Sequence, residues 1–465
     1  MHPIFKEKRT LDERCYTTFK LSPEILMEHA SIALAKAVAK KLSRKSKALF
    51  VCGAGNNGAD GIAAARLLHK RYDVAIYLPC APSSNLAKLQ LERALSIGVP
   101  VLNTLGEADI YVDALFGSGL NRPLDAKSKA LITMLNAQKG YKIACDIPSG
   151  LYDSRKPSSV CFCAHETIAM GALCFTLLRD DAKDVVGNIR VASLGVAREC
   201  YETPSTAFLL QKKDLVLPIR KQKNTHKGTF GHVAILSGAK EGAAVLAGMG
   251  AFHFGAGLVS LVGKTIKKAP VYLMETTQLP TNTSVIVAGM GLEMPFDVQT
   301  IRAFLLENTL PLVIDASLCH HALLLEILAS KKPCVLTPHP KEFCSLLKLT
   351  CKEDIDIETL QANRFSYAQM WSERFPHVVL LLKGANTIIA YGGHMYVNAF
   401  GTQALAKGGS GDVLAGMIGA LIAQGYSLQN AAISASLAHA LVSQKLTCNN
   451  FSLTPIDICK GLKWL

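Results

Sequence analysis

Short apolar runs alternate along this chain with longer stretches in which apolar residues recur at helical spacing. Ala48–Cys52, Val74–Leu78, Ile110–Ala114 and Lys142–Cys145 read as strands. Ile62–His69 and Ser22–Lys41 read as helices, the second with Ser22 as its cap and Pro23 in its first turn. Strands that alternate with helices predict a parallel sheet covered by helices on both faces. From Pro204 to Lys227 the chain turns polar and basic, with Pro204, Pro218 and the run Arg220-Lys221-Gln222-Lys223. A domain boundary is placed here, near Leu210, giving domains over 1–210 and 211–465. Beyond it the pattern resumes, with strands expected at Val233–Leu236, Leu258–Val262, Val285–Ala288, Leu312–Ile314, Val378–Leu382 and Thr387–Ala390. A Gly/Ala-rich helical region closes the chain. The fold class is α/β, with a three-layer, Rossmann-like arrangement in the first domain.

Composition narrows the partners. The 465 residues carry 50 Lys plus Arg against 36 Asp plus Glu, a formal charge of +14, which favours anionic ligands. The basic residues are scattered and do not alternate with aromatic ones, so a nucleic-acid platform is not expected. The 14 Cys include no Cys-x-x-Cys pair, which points to a reducing compartment. Glu7, Asp12 and Glu13 precede any apolar run, unlike a signal peptide. Val413–Ala423 falls well short of the roughly 20 residues that span a bilayer. A cytoplasmic protein with no membrane partner is expected.

The first candidate site follows the strand Ala48–Cys52. Gly53-Ala54-Gly55-Asn56-Asn57-Gly58-Ala59-Asp60-Gly61 lies at the carboxyl end of a strand and the start of a helix. Parallel sheets bind ligands there, and helix N–H groups attract anions. The glycines are expected to admit close backbone approach and positive φ. Gly53 to Gly58 fits G-x-G-x-x-G, but a dinucleotide-binding dehydrogenase needs an acidic residue after the second strand, whereas Asp73 precedes it. Two further strands end in acidic loops. Asp113 leads to Gly117-Ser118-Gly119-Leu120-Asn121-Arg122-Pro123, and Asp146 opens Asp146-Ile147-Pro148-Ser149-Gly150. Asn57, Asp60, Asp113, Asp146 and Ser149 should therefore converge, offering oxygen ligands to a hard cation and a carboxylate to move a proton.

Together with Leu26-Met27-Glu28, these motifs resemble the NAD(P)H-hydrate epimerase family over roughly residues 10–200. The resemblance implies that Asn56, Asn57, Gly58, Ala59 and Asp60, with Gly117, Ser118, Gly119, Leu120, Asn121, Arg122 and Pro123, contact a hydrated nicotinamide dinucleotide. It implies potassium ligation by Asn57, Asp113 and Ser149, and a substrate-binding acid/base role for Asp146. The family interconverts the R and S forms of NADHX and NADPHX at C6 of the ring. Ala59 and Ser31 stand where the family usually has glycine.

In the second domain, Lys383-Gly384-Ala385-Asn386-Thr387 forms a turn between two strands, and Gly408-Gly409-Ser410-Gly411-Asp412 directly precedes the helix Val413–Ala423. Glycine N–H groups at a helix start suit a phosphoryl group, and a neighbouring Asp can take a proton from its acceptor. These motifs, with Thr337-Pro338-His339-Pro340, resemble the ribokinase-like fold and its ADP/ATP-dependent NAD(P)H-hydrate dehydratase family, over roughly residues 215–465. The resemblance implies nucleotide binding by Lys383, Gly384, Ala385, Asn386, Thr387 and Gly411. It implies hydrate contacts from Ala243, Gly291, His339 and Asp412, with Asp412 as base and Mg²⁺ accompanying ADP or ATP. Lys341, and the absence of proline from Gly289-Met290-Gly291-Leu292, depart from the family pattern. Phosphorylation of the C6 hydroxyl and loss of phosphate would restore NADH or NADPH. A homo-oligomer acting on small molecules is expected. An oxidoreductase fused to a small-molecule kinase, and a non-catalytic nucleotide sensor, are the competing readings.

Overall fold

A computed structural model describes the chain except residues 44, 121, 153–159, 264–268, 293–296 and 447–448. Two compact units result, one of Pro3–Ser205 and one of Thr206–Leu465 with Met1–His2. The unit boundary at Ser205/Thr206 lies a few residues before the Leu210 expectation.

The first unit is built on seven parallel strands: β1 (Lys47–Cys52), β2 (Asp73–Tyr77), β3 (Val101–Leu102), β4 (Ile110–Ala114), β5 (Tyr141–Cys145), β6 (Glu166–Met170) and β7 (Asn188–Ala192). Their spatial order is β3-β2-β1-β4-β5-β6-β7. The order reverses between β1 and β4, which opens a crevice at their carboxyl ends. Strand β1 shows why this chain makes a doubly covered sheet. Ala48, Phe50 and Cys52 enter one apolar core while Leu49 and Val51 enter another, so both faces are buried. Helix Pro23–Ala39 is capped by Ser22, whose side chain accepts from Ile25 N, and its Leu26, Ala30, Leu34 and Val38 lie in the core.

Among the described residues the second unit places ten strands in one sheet: β8 (Ala207–Leu209), β9 (His232–Leu236), β10 (Leu258–Val262), β11 (Met274–Thr276), β12 (Val285–Ala288), β13 (Leu312–Ile314), β14 (Cys334–Leu336), β15 (Val378–Leu382), β16 (Thr387–Tyr391) and β17 (His394–Asn398). The order runs β11-β10-β9-β12-β13-β14-β15-β16-β17-β8. Pairing is parallel from β11 to β15, and the β15/β16 and β16/β17 hairpins are antiparallel. No helix among the described residues is long and apolar enough to cross a membrane.

Helices Glu241–His253 and Ser410–Ala423 pack at backbone contact. A Cβ on Gly416 would lie 1.8 Å from Ala247 O, and one on Gly250 would lie 2.4 Å from Val413 O. Gly416→Ala must therefore push the helices apart. It is expected to cost about 1–3 kcal/mol, read as a lower denaturant midpoint of the second unit.

Candidate active sites

The first glycine loop is organised differently from the sequence expectation. The helix begins at Asn56 and runs to Leu68, so Asn56 to Gly61 form its first turns and not a preceding loop. None of Gly53, Gly55, Gly58 and Gly61 has positive φ. Their smallness serves packing instead: a Cβ on Gly58 would lie 1.9 Å from Gly53 O, and one on Gly53 2.0 Å from Leu115 O. The exposed Asn56 and half-buried Asn57 thus present a helix N-terminus to the crevice. Ala59 faces the other way, buried against Met27 and Ala87, so only its backbone can serve a ligand. Glu28 is occupied by an ion pair with Arg66, whose Nη2 donates to both carboxylate oxygens at 2.7 and 2.6 Å, which ties two helices together.

Asp113, on β4, is buried and accepts hydrogen bonds from Ser149 N (2.7 Å), Ser149 Oγ (2.6 Å) and Leu115 N (3.1 Å). Burial pushes its carboxyl up to about 6, against those hydrogen bonds. Phe116 N donates to Ser149 Oγ at 3.0 Å, so the loop after β4 is fastened to the loop after β5.

Asp146 follows β5 with φ of +68°, in the left-handed region. Its carboxylate accepts from Ser118 N at 2.9 Å, from Met170 N at 3.2 Å and from the buried Lys8 ammonium, which pairs with Oδ1. Burial alone would raise the Asp146 carboxyl; the Lys8 charge and these hydrogen bonds outweigh it and hold the group below the usual range. Asp60 behaves oppositely. Desolvation, then the charges of Asp146 and Asp12, push it well above the carboxylate range. Gly117 lies between Asn57 Oδ1 and Asp146 Oδ2, each 3.1 Å from where its Cβ would be. Asn57 Nδ2 is buried with no hydrogen-bond partner among the described residues, a polar atom left for a ligand.

The three strand-end loops therefore meet. Asn57, Gly117, Ser118 and Asp146 share one crevice wall, and Asp113 and Ser149 form a bonded pair behind it. Ser118 and Gly119 are exposed, Leu120 is half-buried, and Arg122 and Pro123 are exposed further along the same loop. Asn121 lies outside the described residues. Lys8 and Asp12 were not foreseen. Asp12 accepts from the Tyr201 hydroxyl at 2.8 Å, and both acidic and basic partners come from a first helical segment that carries no motif.

In the second unit Asp315, just after β13, is buried and pairs with Lys383 Nζ at 2.7 Å. Burial disfavours the Lys383 charge, but Asp315 outweighs it and raises the group. Helix Ser410–Ala423 starts one turn earlier than expected, so Gly411 and Asp412 sit in its first turn. Gly409, with φ of +90°, precedes it; a Cβ there would meet Leu246 Cδ1 at 2.5 Å. A Cβ on Gly411 would be 3.2 Å from Lys383 Nζ and 3.8 Å from Asp315 Oδ2. The Lys383–Asp315 pair thus lies against the open helix N-terminus beside Asp412. Burial, with the Asp315 charge, pushes the Asp412 carboxyl up to about 6, though Lys383 opposes this.

Asn386 is buried, while Gly384 and Ala385 are exposed and Thr387 half-buried in the same turn. The buried Arg364 donates to Lys383 O at 3.1 Å and braces that turn. Ala243 and Gly291 adjoin: a Cβ on Gly291 would lie 3.2 Å from Ala243 Cβ. His339 has a structural duty. Its Nδ1 accepts from Glu342 N at 3.2 Å and its Nε2 lies 3.2 Å from Glu342 Oε1, capping helix Pro340–Cys351. Buried His439, 3.2 Å from Ser410 Oγ and held low, at about 4, chiefly by desolvation, was not foreseen; nor were Asp315 and Arg364.

Residues 23–174 match the family described as YjeF-related protein N-terminus, and residues 233–463 match NAD(P)H-hydrate dehydratase. Over 479 aligned residues, spanning all of both chains, the sequence is 41% identical to the bifunctional NAD(P)H-hydrate repair enzyme of Helicobacter pylori. It is 30% identical to that of Coxiella burnetii, covering 93% of this chain and 92% of the other. A solved structure of the ADP/ATP-dependent NAD(P)H-hydrate dehydratase of Bacillus subtilis, co-crystallised with ATP/Mg²⁺, is 27% identical. It covers 53% of this chain and 92% of that one, with a TM-score of 0.44.

Proposed function

The chain belongs to the family of bifunctional NAD(P)H-hydrate repair enzymes, and we propose that it divides the repair between the two centres described above. The first unit interconverts the R and S hydrates, and the second dehydrates the S form at the expense of ADP or ATP.

At the first centre, the helix N-terminus at Asn56–Gly58 suits the substrate pyrophosphate. Asp146, held low, is the proton acceptor, and Asp60, pushed upward chiefly by desolvation, is a group able to hold or give a proton, two carboxyls whose surroundings push them apart. Asn57, Asp113 and Ser149 fit a monovalent cation. Asp113 is a buried carboxylate with no Lys or Arg paired to it among the described residues. The Asn57 amide can turn its oxygen to the position of its unpartnered nitrogen. Bound there, potassium would neutralise Asp113 and stiffen the joined loops.

At the second centre, the observation that carries the reading is Lys383 and Asp315 packed on the helix N-terminus next to Asp412. The helix N–H groups and Lys383 suit the nucleotide phosphates. Asp412 takes the proton of the C6 hydroxyl as the terminal phosphoryl group arrives. Phosphate then leaves with the C6–O electron pair while a proton is lost from C5, which restores the C5–C6 double bond. Magnesium would screen the phosphate charge.

The test supplies the S hydrate with ADP and follows NADH absorbance across pH. AMP and phosphate should form in step with NADH. A base is active when ionised, so the rate should rise with pH, reach half its plateau near the Asp412 value of about 6, and stay level above it. An acid limb near the ordinary Asp value of about 4 would remove Asp412 from that role.

A further inference from the structure

Besides Asp113, the carboxyls of Asp12, Asp60 and Asp146 gather at the first centre, and the buried Lys8 ammonium pairs with one of them. Lys8 comes from the segment just before helix Arg9–Thr17 and crosses to Asp146, 138 positions away in sequence. Both side chains are buried, with 4% and 9% exposure. Asp12, one turn along from Lys8, is committed to the Tyr201 hydroxyl. Asp60 enters from helix Asn56–Leu68, and Asp146 from the end of β5. Cys174 faces Lys8, Cys145 faces Asp60 and Asp146, and Tyr201 faces Asp12. With Lys8 as the buried cation in contact among the described residues, the carboxyl that touches it carries a negative charge at the lowest cost.

We propose that Lys8 is a positioning residue of the epimerase centre, whose ammonium group fixes Asp146 as the one charged carboxylate facing the hydrate. The proposal rests on the epimerase reading of this centre. Geometry gives Lys8 a second task. It engages Oδ1 while Ser118 N holds Oδ2, so the carboxylate plane is clamped from two sides. Asp12 and Asp60 make no contact of this kind with Lys8 among the described residues, and desolvation pushes both carboxyls upward. This makes Lys8 part of a centre whose glycine and Asp loops all lie beyond residue 50.

The full-length protein is given the pure S hydrate without ADP, so that the dehydratase is silent, and the R form is followed by chromatography. Wild type should interconvert the two; if it does not, the epimerase reading itself fails. Lys8→Met and Lys8→Ala should lose about 100-fold or more in kcat, with KM changed less than about threefold. Both should stay folded by near-ultraviolet circular dichroism, because a buried carboxylate deprived of its cation takes up a proton instead. Propylammonium, which fits the space left in Lys8→Ala, should restore at least about tenfold of the rate; propanol, of the same shape and uncharged, should not. Epimerase rates within about threefold of wild type in both variants overturn the proposal. So does equal recovery with propanol, which would make Lys8 a packing element.

Discussion

Asp412→Asn should lower NADH formation from the S hydrate and ADP by about 10²–10⁴-fold, the range expected on losing a general base. Three features make the loss specific. Asn keeps the shape of the first turn of helix Ser410–Ala423, so the N–H groups aimed at the phosphate remain in place. Lys383 stays paired to Asp315, and nucleotide affinity should be little changed. Only the proton acceptor is removed. Epimerisation, carried by the other unit, should continue at the wild-type rate, so R and S hydrate would equilibrate without being consumed. A dehydratase rate within about threefold of wild type would assign the base elsewhere.

Asp146→Asn should have the complementary effect. Epimerase kcat/KM should fall by about 10²–10⁴-fold, while S hydrate is still dehydrated with ADP. Asn is the informative replacement because it tolerates the +68° φ of this position, where most residues would be strained. The Lys8 cation is not stranded by the change. Asp12 and Asp60 already lie within its field and can ionise in place of Asp146, which protects the fold. In this variant a mixed R and S pool should lose its S fraction quickly, then convert only as fast as R epimerises on its own. Rapid exhaustion of both forms would take the acid/base role away from Asp146.

What could be read in the sequence follows from how local each signal is. Both-face burial makes β1, β4, β5 and β15 nearly continuous apolar runs, and the sequence marks them to within a residue. Strand β7, Asn-Ile-Arg-Val-Ala, is an edge strand with charged and polar positions, and Met274–Thr276 is exposed along much of its length, so neither stands out. The Gly/Asp loops were visible because chemistry and backbone constraint fall on the same few residues. Their conformation was not, since glycine reads equally as a turn former and as a site of close packing. At Gly53 and Gly58 packing is the reason, and at Gly409 the positive φ is real. Motifs leave a side chain's packing unsaid: the His339 ring also caps a helix, and the Ala59 methyl faces the core while its backbone stays in the helix's first turn. Lys8, Asp12, Asp315 and Arg364 act across long sequence separations, and no local pattern announces a partner 138 or 68 positions away.

The central claim is that one chain brings both epimers of a damaged dinucleotide back to NADH, each centre doing one step. The direct test gives the full-length protein an R and S mixture of NADHX with ADP, Mg²⁺ and K⁺, and follows absorbance to its end point. NADH should finally equal the total of both epimers. A plateau at the S fraction, with R untouched beyond its spontaneous conversion, would contradict the division of labour, and no NADH at all would contradict the repair reading.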